Sequence, residues 1–208
     1  MKTLCIFLLL YISTVVAQTP GWTDLMETNL NIGDNIYDIF TNRFGNHIIV
    51  QESNALKYYK MDVYGDATSN YSPTTLESSS VISPSISGDE TRIYVVYRKE
   101  NESSIKTKFS SDGGLNWSTL ATNPQNSNAS SIECVFSKGN LHVTYLVGDV
   151  ILFSYYNTNN SSWLSPQTVS DEFYTAANPR IGINNTGSVD TVYFTYNEVE
   201  TERLEWRR

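Results

Sequence analysis

Cysteine is scarce in this 208-residue chain, and its scarcity excludes two classes of small protein. Only Cys5 and Cys134 occur, and Cys5 belongs to an N-terminal stretch that we expect to be removed. A mature chain with one thiol cannot form an internal disulfide, so it is not a disulfide-stapled scaffold. A zinc site built on cysteines is excluded for the same reason. Residues 132–136 around Cys134 have the pattern of a strand, which predicts a buried, inert thiol.

Charged residues are also few, at 17% of the chain, and the formal net charge is -8. The basic residues are scattered, which argues against the basic patch that nucleic-acid binding requires. The chain has no metal-ligand spacing, no Gly-Lys-Ser/Thr phosphate loop and no Gly-x-Ser-x-Gly elbow, so we predict neither a metal nor a cofactor. A catalytic cysteine would need a histidine partner, and His47 and His142 each lie within an apolar strand pattern of their own.

Long apolar runs are absent beyond the N-terminus. Residues 4–12 follow Lys2 and are almost wholly apolar, and small residues lead up to Ala17. This order is typical of a secretory signal peptide over residues 1–17, with the mature chain at 18–208. The alternative is a membrane anchor, which would need about 20 apolar residues, and two hydroxyl residues interrupt the run. We therefore expect a secreted, extracellular protein with no membrane segment after cleavage.

Helical periodicity is missing as well, whereas Tyr, Thr and Val, which favour strands, are frequent. The four strongest strand patterns begin at His47, Ile93, Leu141 and Val192, and these starts are separated by 46, 48 and 51 residues. A shorter strand and a turn precede each of them, a third strand follows, and a fourth is recognisable in three repeats. We predict tandem units at residues 36–78, 82–124, 130–170 and 178–208.

Tandem units of about 40–50 residues with four strands each are typical of the blades of a β-propeller. We therefore predict an all-β β-propeller of about four four-stranded blades. The alternative is a two-sheet β-sandwich, which also has short strands at regular spacing.

One turn is more informative than the others. Residues 110–117 read Ser-Ser-Asp-Gly-Gly-Leu-Asn-Trp, and the Asp112 carboxylate can accept hydrogen bonds from the backbone N–H groups that follow it. An ordinary Asp-Gly hairpin is the simplest interpretation. The pattern also resembles the Asp-box, or BNR repeat, of the sialidase superfamily, although Asn116 stands where that family often has threonine. The matching positions are Ser110, Asp112, Gly114 and Trp117.

The resemblance implies a propeller fold, a glycan-related role and a structural function for the Asp-box, which in the family lies away from the active site. It also implies a site near the central axis, where the family uses three arginines, a tyrosine activated by glutamate and an aspartate. Arg98 and Arg180 lie in or beside inner strand patterns and are candidates for the arginines, with surface or inter-blade pairing as the alternative. The family's Arg-Ile-Pro motif is absent. Tyr97, Tyr145 and Tyr196 occupy equivalent repeat positions, which favours packing over a single nucleophile.

Closure of the ring is open between several interpretations. Sialidase-like rings have six blades, so the chain is a four-bladed ring, a part of a longer propeller or half of a dimer. The last unit shows no fourth strand, and residues 21–28 open with Gly-Trp-Thr, which resembles the segments at Trp117 and Trp163. Our hypothesis is that residues 21–28 form the outer strand of the last blade, beside residues 203–207.

Two functions follow from these observations. The first is a secreted, non-catalytic module that binds a glycan or a protein ligand through exposed aromatic residues. The alternative is an exo-α-sialidase-type glycoside hydrolase, or a truncated piece of one. Seven sequons predict N-glycosylation if the source is eukaryotic, with chance occurrence in an Asn-rich chain as the alternative. They are Asn70, Asn101, Asn116, Asn128, Asn159, Asn160 and Asn184.

Overall fold

A computed structural model describes residues 36–62, 72–121, 123, 128–170, 175–187, 190–199 and 203–207. All regular structure in these residues is β-strand, arranged as four antiparallel sheets that follow one another along the chain. The prediction of an all-β protein built from blade-like repeats is therefore confirmed. Residues 1–35, which hold the predicted signal peptide and the segment 21–28, lie outside the described part of the chain.

Sheets 1, 2 and 4 are meanders of consecutive strands, and sheet 3 departs from this order only at its last strand. Sheet 1 contains β1 (Ile36–Asn42), β2 (Gly45–Glu52), β3 (Ala55–Met61) and β4 (Thr74–Glu77). Sheet 2 contains β5 (Val81–Gly88), β6 (Ile93–Lys99), β7 (Ile105–Ser110) and β8 (Ser118–Thr119). Sheet 3 contains β9 (Ser130–Ser137), β10 (Asn140–Val147) and β11 (Val150–Asn157), and both β12 (Ser162–Trp163) and β13 (Gln167–Thr168) pair with β11. Sheet 4 contains β14 (Ala176–Asn184), β15 (Thr191–Glu198) and β16 (Arg203–Arg207).

Strand β6, the second strand of sheet 2, has a strong strand signal because both of its faces are covered. The first six residues of β6 are all buried, and they read Ile-Tyr-Val-Val-Tyr-Arg. Strand β7, one position further out, alternates buried and half-buried residues over most of its length. A strand between two neighbouring sheets has no solvent face, so it reads as a continuous apolar run rather than an alternation.

The apolar cores lie between successive sheets. Ile49 and Tyr58 of sheet 1 pack with Ile86 and Val95 of sheet 2 in one cluster. A second cluster joins sheet 2 to sheet 3 and includes Cys134, whose pKa is raised to about 12 by burial. Stacked sheets with a core in each gap are the arrangement of propeller blades and not of a two-sheet sandwich.

The first strands of the four sheets lie side by side in the order β1, β5, β9, β14. Among the described residues, no contact of comparable extent joins β1 to β14, so these four sheets form an arc. No described helix is long and apolar enough to cross a membrane.

The first strands of sheets 2, 3 and 4 share an irregularity at the same point. Ser83, Ser131 and Asn178 have left-handed backbone, with φ of 45°, 48° and 52°. The pairing with the second strand shifts register beside each of them. Such a bulge bends a strand and increases its twist. Because the bulge recurs, the residue two positions later lies at the same place in each of these sheets.

Candidate functional site

Four polar residues occupy one equivalent position in the first strands, and we call them the inner row. They are separated by 47, 48 and 47 residues, in agreement with the repeat length. Each pairs with the corresponding residue of its second strand, namely Ile49, Val96, Thr144 and Thr195. The members of the inner row are Asp38, Ser85, Glu133 and Arg180.

Hydrogen bonds from Ser85 join the inner row to both neighbouring first strands. Ser85 Oγ donates to Asp38 Oδ2 at 2.9 Å, and the same carboxylate oxygen accepts from the backbone N–H of Ile86 at 2.9 Å. Ser85 Oγ also accepts from the backbone N–H of Cys134 at 3.2 Å. A first strand pairs with only one other strand, so the N–H groups on its free edge need such partners. The row therefore ties the sheets together.

The accessible part of the inner row is an ion pair between sheets 3 and 4. The guanidinium of Arg180 contacts the Glu133 carboxylate, and the two side chains are 69% and 28% exposed. Ser85, in contrast, is buried. The sequence-predicted candidate Arg180 thus lies where the sheets meet, and its charge is paired across that junction.

The other candidate, Arg98, lies inside the molecule. Its Nε donates to the carbonyl of Ala129 at 2.7 Å, and its Nη1 donates to the carbonyl of Glu102 at 2.9 Å, with longer bonds to two further carbonyls. Only 7% of Arg98 is exposed. The guanidinium joins the start of sheet 3 to the β6–β7 turn, and the structure does not bring it together with Arg180.

The three equivalent tyrosines are all buried. Tyr97, Tyr145 and Tyr196 are 2%, 0% and 1% exposed. Tyr97 Oη lies 3.3 Å from Glu77 Oε2, which is a tyrosine–glutamate contact of the kind that the family resemblance implies. Burial raises the pKa of Tyr97, and the Glu77 charge raises it further. A nucleophile needs the opposite shift and an open path to its substrate.

Residues 110–117, which we call the Asp112 turn, form a closed hydrogen-bonded unit. Asp112 Oδ1 accepts from the backbone N–H groups of Leu115 and Asn116 at 3.1 and 2.9 Å, and Ser110 Oγ donates to the same oxygen at 2.8 Å. Ser110 Oγ in turn accepts from the N–H of Gly114 at 2.8 Å. The bonds from Asn116 are the main reason that the pKa of Asp112 is lowered to about 2. Because Asp112 Oδ2 accepts from the side chain of Asn116, both carboxylate oxygens are used within the turn.

The Asp112 turn docks on the preceding sheet. The Trp117 ring meets the Tyr58 ring edge-on with centroids 4.8 Å apart, and Trp117 Nε1 donates to the carbonyl of Gly114 at 3.1 Å. Lys60 Nζ donates to the carbonyl of Gly113 at 3.1 Å. The turn is thus a joint between sheets 1 and 2.

A groove separates sheets 3 and 4 near the β9–β10 and β14–β15 turns, and we call it the inter-sheet groove. Two adjoining cavities of about 490 and 400 Å³ share Phe153, Asp190 and Val192 in their walls. His142 and Asp190 lie at its base with 6% and 7% of their side chains exposed, and Nε2 of the first is 3.6 Å from Oδ2 of the second. Burial lowers the pKa of His142, although the Asp190 charge acts in the opposite direction.

The polar groups of the inter-sheet groove are incompletely paired. Asp190 Oδ1 accepts from Ser137 Oγ at 3.0 Å and lies 3.3 Å from Lys138 Nζ. Both ring nitrogens of His142 and Oδ2 of Asp190 are buried without a hydrogen-bond partner among the described residues. A buried polar group without a partner is costly, so the groove is suited to an occupant that supplies hydrogen bonds.

Six of the seven sequon asparagines fall within the described part of the chain, and all six are exposed; Asn70 lies outside it. Asn116 donates from Nδ2 to Asp112 Oδ2 at 2.7 Å, so its amide already belongs to the Asp112 turn. In the residues that the structure describes, no group of three or more His, Cys, Asp or Glu side chains is placed to hold a metal ion.

Sequence reasoning identified Arg180 but missed Asp38, Ser85 and Glu133. The available signal was their common position in the repeat, because these polar residues are separated by 47 and 48 positions along the chain. The inter-sheet groove was missed as well, since the sequence places His142 in an ordinary strand and gives no partner for it.

Comparison with known proteins shows the fold and not a family. No protein-family model and no curated protein matches the chain. An auxiliary nutrient binding protein from Bacteroides ovatus ATCC 8483 is similar in structure, with 11% identity over 86% of this chain and 46% of that one and a TM-score of 0.55. A subtype N10 neuraminidase-like protein of A/little yellow-shouldered bat/Guatemala/060/2010 is 10% identical over 81% of this chain and 57% of that one, with a TM-score of 0.52. The chain spans about half the length of these two structures.

Proposed function

We propose that the chain is a secreted, non-catalytic binding module that holds a glycan along the inner row. The observation that carries the proposal is the pair formed by the exposed Arg180 and the half-buried Glu133, which presents donors and acceptors at the junction of two first strands. Sugar hydroxyls both donate and accept hydrogen bonds, so a carboxylate beside a guanidinium can engage neighbouring hydroxyls of one ring.

An aromatic ring lies beside one end of the inner row. Tyr37 precedes Asp38 in β1, is 40% exposed, and is held by a hydrogen bond from its Oη to Gln51 Oε1 at 2.6 Å. The apolar faces of sugar rings stack on aromatic side chains, and a tyrosine fixed in this way loses little entropy when it does so. The similarity in fold to an auxiliary nutrient binding protein agrees with a binding role.

The placement of the candidate catalytic residues favours binding over hydrolysis. An exo-sialidase needs several free guanidinium groups against one carboxylate and an accessible nucleophile. Arg98 is buried and its guanidinium donates to backbone carbonyls, whereas Arg180 is ion-paired with Glu133. Tyr97 is buried, and its pKa is raised rather than lowered. The similarity in fold to a neuraminidase-like protein keeps sialoside hydrolysis as the competing function to be tested.

A glycan array probed with the secreted protein, run beside a fluorogenic sialoside assay, tests the proposal. We expect saturable binding to a subset of glycans and no release of the fluorophore. Turnover that disappears in Arg98→Ala or Arg180→Ala would establish the hydrolase instead. The absence of both binding and turnover would contradict the glycan proposal.

Export is a separate part of the proposal. N-terminal sequencing of material from the medium of expressing cells should give Gln18 as the first residue. If the source is eukaryotic, glycopeptide mapping of the same material should find glycans at exposed sequons other than Asn116, whose amide is bonded to Asp112. Retention of residues 1–17 in a membrane fraction would contradict the assignment of a signal peptide.

A further inference from the structure

The inter-sheet groove between sheets 3 and 4 has two counterparts in the molecule. His47, Tyr94 and His142 occupy the same repeat position, because each pairs with the residue two places after a member of the inner row. His47 stacks on Tyr58 with ring centroids 5.9 Å apart and planes at 14°. His142 stacks on Phe153 with centroids 5.9 Å apart and planes at 12°. We number the spaces between successive sheets, so that the first gap lies between sheets 1 and 2 and the inter-sheet groove is the third gap. A stacked pair of rings therefore faces the next sheet in both the first and the third gap.

A tryptophan at the start of an outer strand fills each of the first two gaps. Trp117 precedes β8 and packs on Tyr58. Trp163 of β12 packs against the cluster that contains Tyr94, and its Nε1 donates at 2.8 Å to the carbonyl of Ala121, two residues after β8.

Backbone anchors repeat in the same way. The N–H of Gly113 donates to the carbonyl of Thr91 at 2.9 Å, and the N–H of Thr158 donates to the carbonyl of Gly139 at 2.9 Å. Thr91 and Gly139 each lie three residues before the repeat position of Tyr94 and His142. Asp190 lies three residues before Tyr193, which pairs with Gly182, again two places after the inner row. The backbone carbonyl of Asp190 therefore occupies, beside the third gap, the position that the carbonyls of Thr91 and Gly139 occupy in the other sheets.

We propose that residues 21–28 fill the third gap, with Trp22 against Phe153 and the following residues paired with β16. Trp117 and Trp163 fill the first two gaps, and Trp206 lies in β16, so Trp22 is the remaining one of four tryptophans. Its setting, Gly-Trp-Thr, is close to Asn-Trp-Ser at residue 117 and Ser-Trp-Leu at residue 163. Its indole and the neighbouring backbone N–H groups supply hydrogen-bond donors to a groove whose unpaired groups include the Oδ2 acceptor of Asp190.

Photo-crosslinking tests the docking in the full chain. A benzophenone amino acid at position 22 should crosslink to peptides containing Phe153, His142 or Val192, whereas the same group at the exposed Phe44 should not. A mixture of isotopically light and heavy protein should give crosslinks within one chain only. Crosslinks elsewhere, none at all, or crosslinks between light and heavy copies would overturn the proposal.

Stability gives a second readout. Trp22→Ala should lower Tm by about 5–10 °C, because it removes an aromatic ring packed between two sheets, and Phe44→Ala should leave Tm nearly unchanged. Equal effects of the two variants would overturn the proposal. Binding of a free monosaccharide to the intact chain that is lost in Phe153→Ala would also overturn the proposal, because residues 21–28 would then not occupy the groove.

Discussion

Gly114 of the Asp112 turn lies directly over the ring of Tyr58 in the preceding sheet. A Cβ built on Gly114 would stand 2.0 Å from Tyr58 Oη, and that oxygen is held at 2.6 Å from His47 Nδ1. Tyr58 is fully buried, so its ring has no room to move aside. The glycine of the motif is therefore required by the packing of one sheet on another, and the motif acts as a structural joint.

Gly114→Ala should destabilise the protein more than a matched glycine change. Gly148 also has left-handed backbone, with φ of 60° against 92°, but nothing lies within 4 Å of its added Cβ. We expect a loss of about 2–4 kcal/mol for Gly114→Ala and about 1 kcal/mol for Gly148→Ala, measured by urea unfolding. Equal losses would show that the contact with Tyr58 is unimportant.

Ser85→Ala should weaken the connection between three sheets. Its hydroxyl donates to Asp38 and accepts from the N–H of Cys134, so the variant leaves a buried N–H without a partner. We expect a loss of about 1–3 kcal/mol, and less than about 0.5 kcal/mol for the exposed Ser111→Ala. If the two variants unfold at the same urea concentration, the inner row does not tie the sheets.

Cys134 should be inert in the folded protein. It is 8% exposed, and burial raises its pKa to about 12, so almost no thiolate forms at neutral pH. Ellman's reagent should label it only after denaturation, whereas a cysteine placed at the exposed Ser111 should react within minutes. Fast labelling of native wild-type protein would contradict the described burial.

His47 should make stability depend on pH below neutrality. Burial, assisted by Lys60, lowers its pKa to about 4 in the folded state, against about 6.5 when unfolded. The unfolded chain therefore binds the proton first, so stability is complete above about pH 6.5 and falls as the pH decreases towards 4. Urea unfolding of wild type and His47→Gln between pH 7 and 4 should show a smaller decline in the variant. Parallel curves would exclude the histidine as the cause.

The sequence predicted what depends on local pattern. The apolar run at residues 93–97 lies within β6, and Cys134 is buried as its strand pattern predicted. The inner row and the inter-sheet groove depend on which sheets become neighbours, and residues about 47 apart meet only when two successive sheets stack. The residues next to Asp38 and Phe153 in the sequence do not indicate these contacts between sheets, so only an alignment of the repeats could have predicted them.

Calorimetric titration of a glycan found on the array tests whether the inner row binds it, with Arg43→Ala as the control for Arg180→Ala. Both arginine side chains are 69% exposed and ion-paired, Arg43 with Glu90 and Arg180 with Glu133, but only the second belongs to the inner row. We predict that Arg180→Ala weakens binding about 10-fold or more, since it removes charged donors, while Arg43→Ala changes it less than about 2-fold. Equal affinity of the two variants, or release of free sugar from the ligand during the titration, would contradict a non-catalytic site on the inner row.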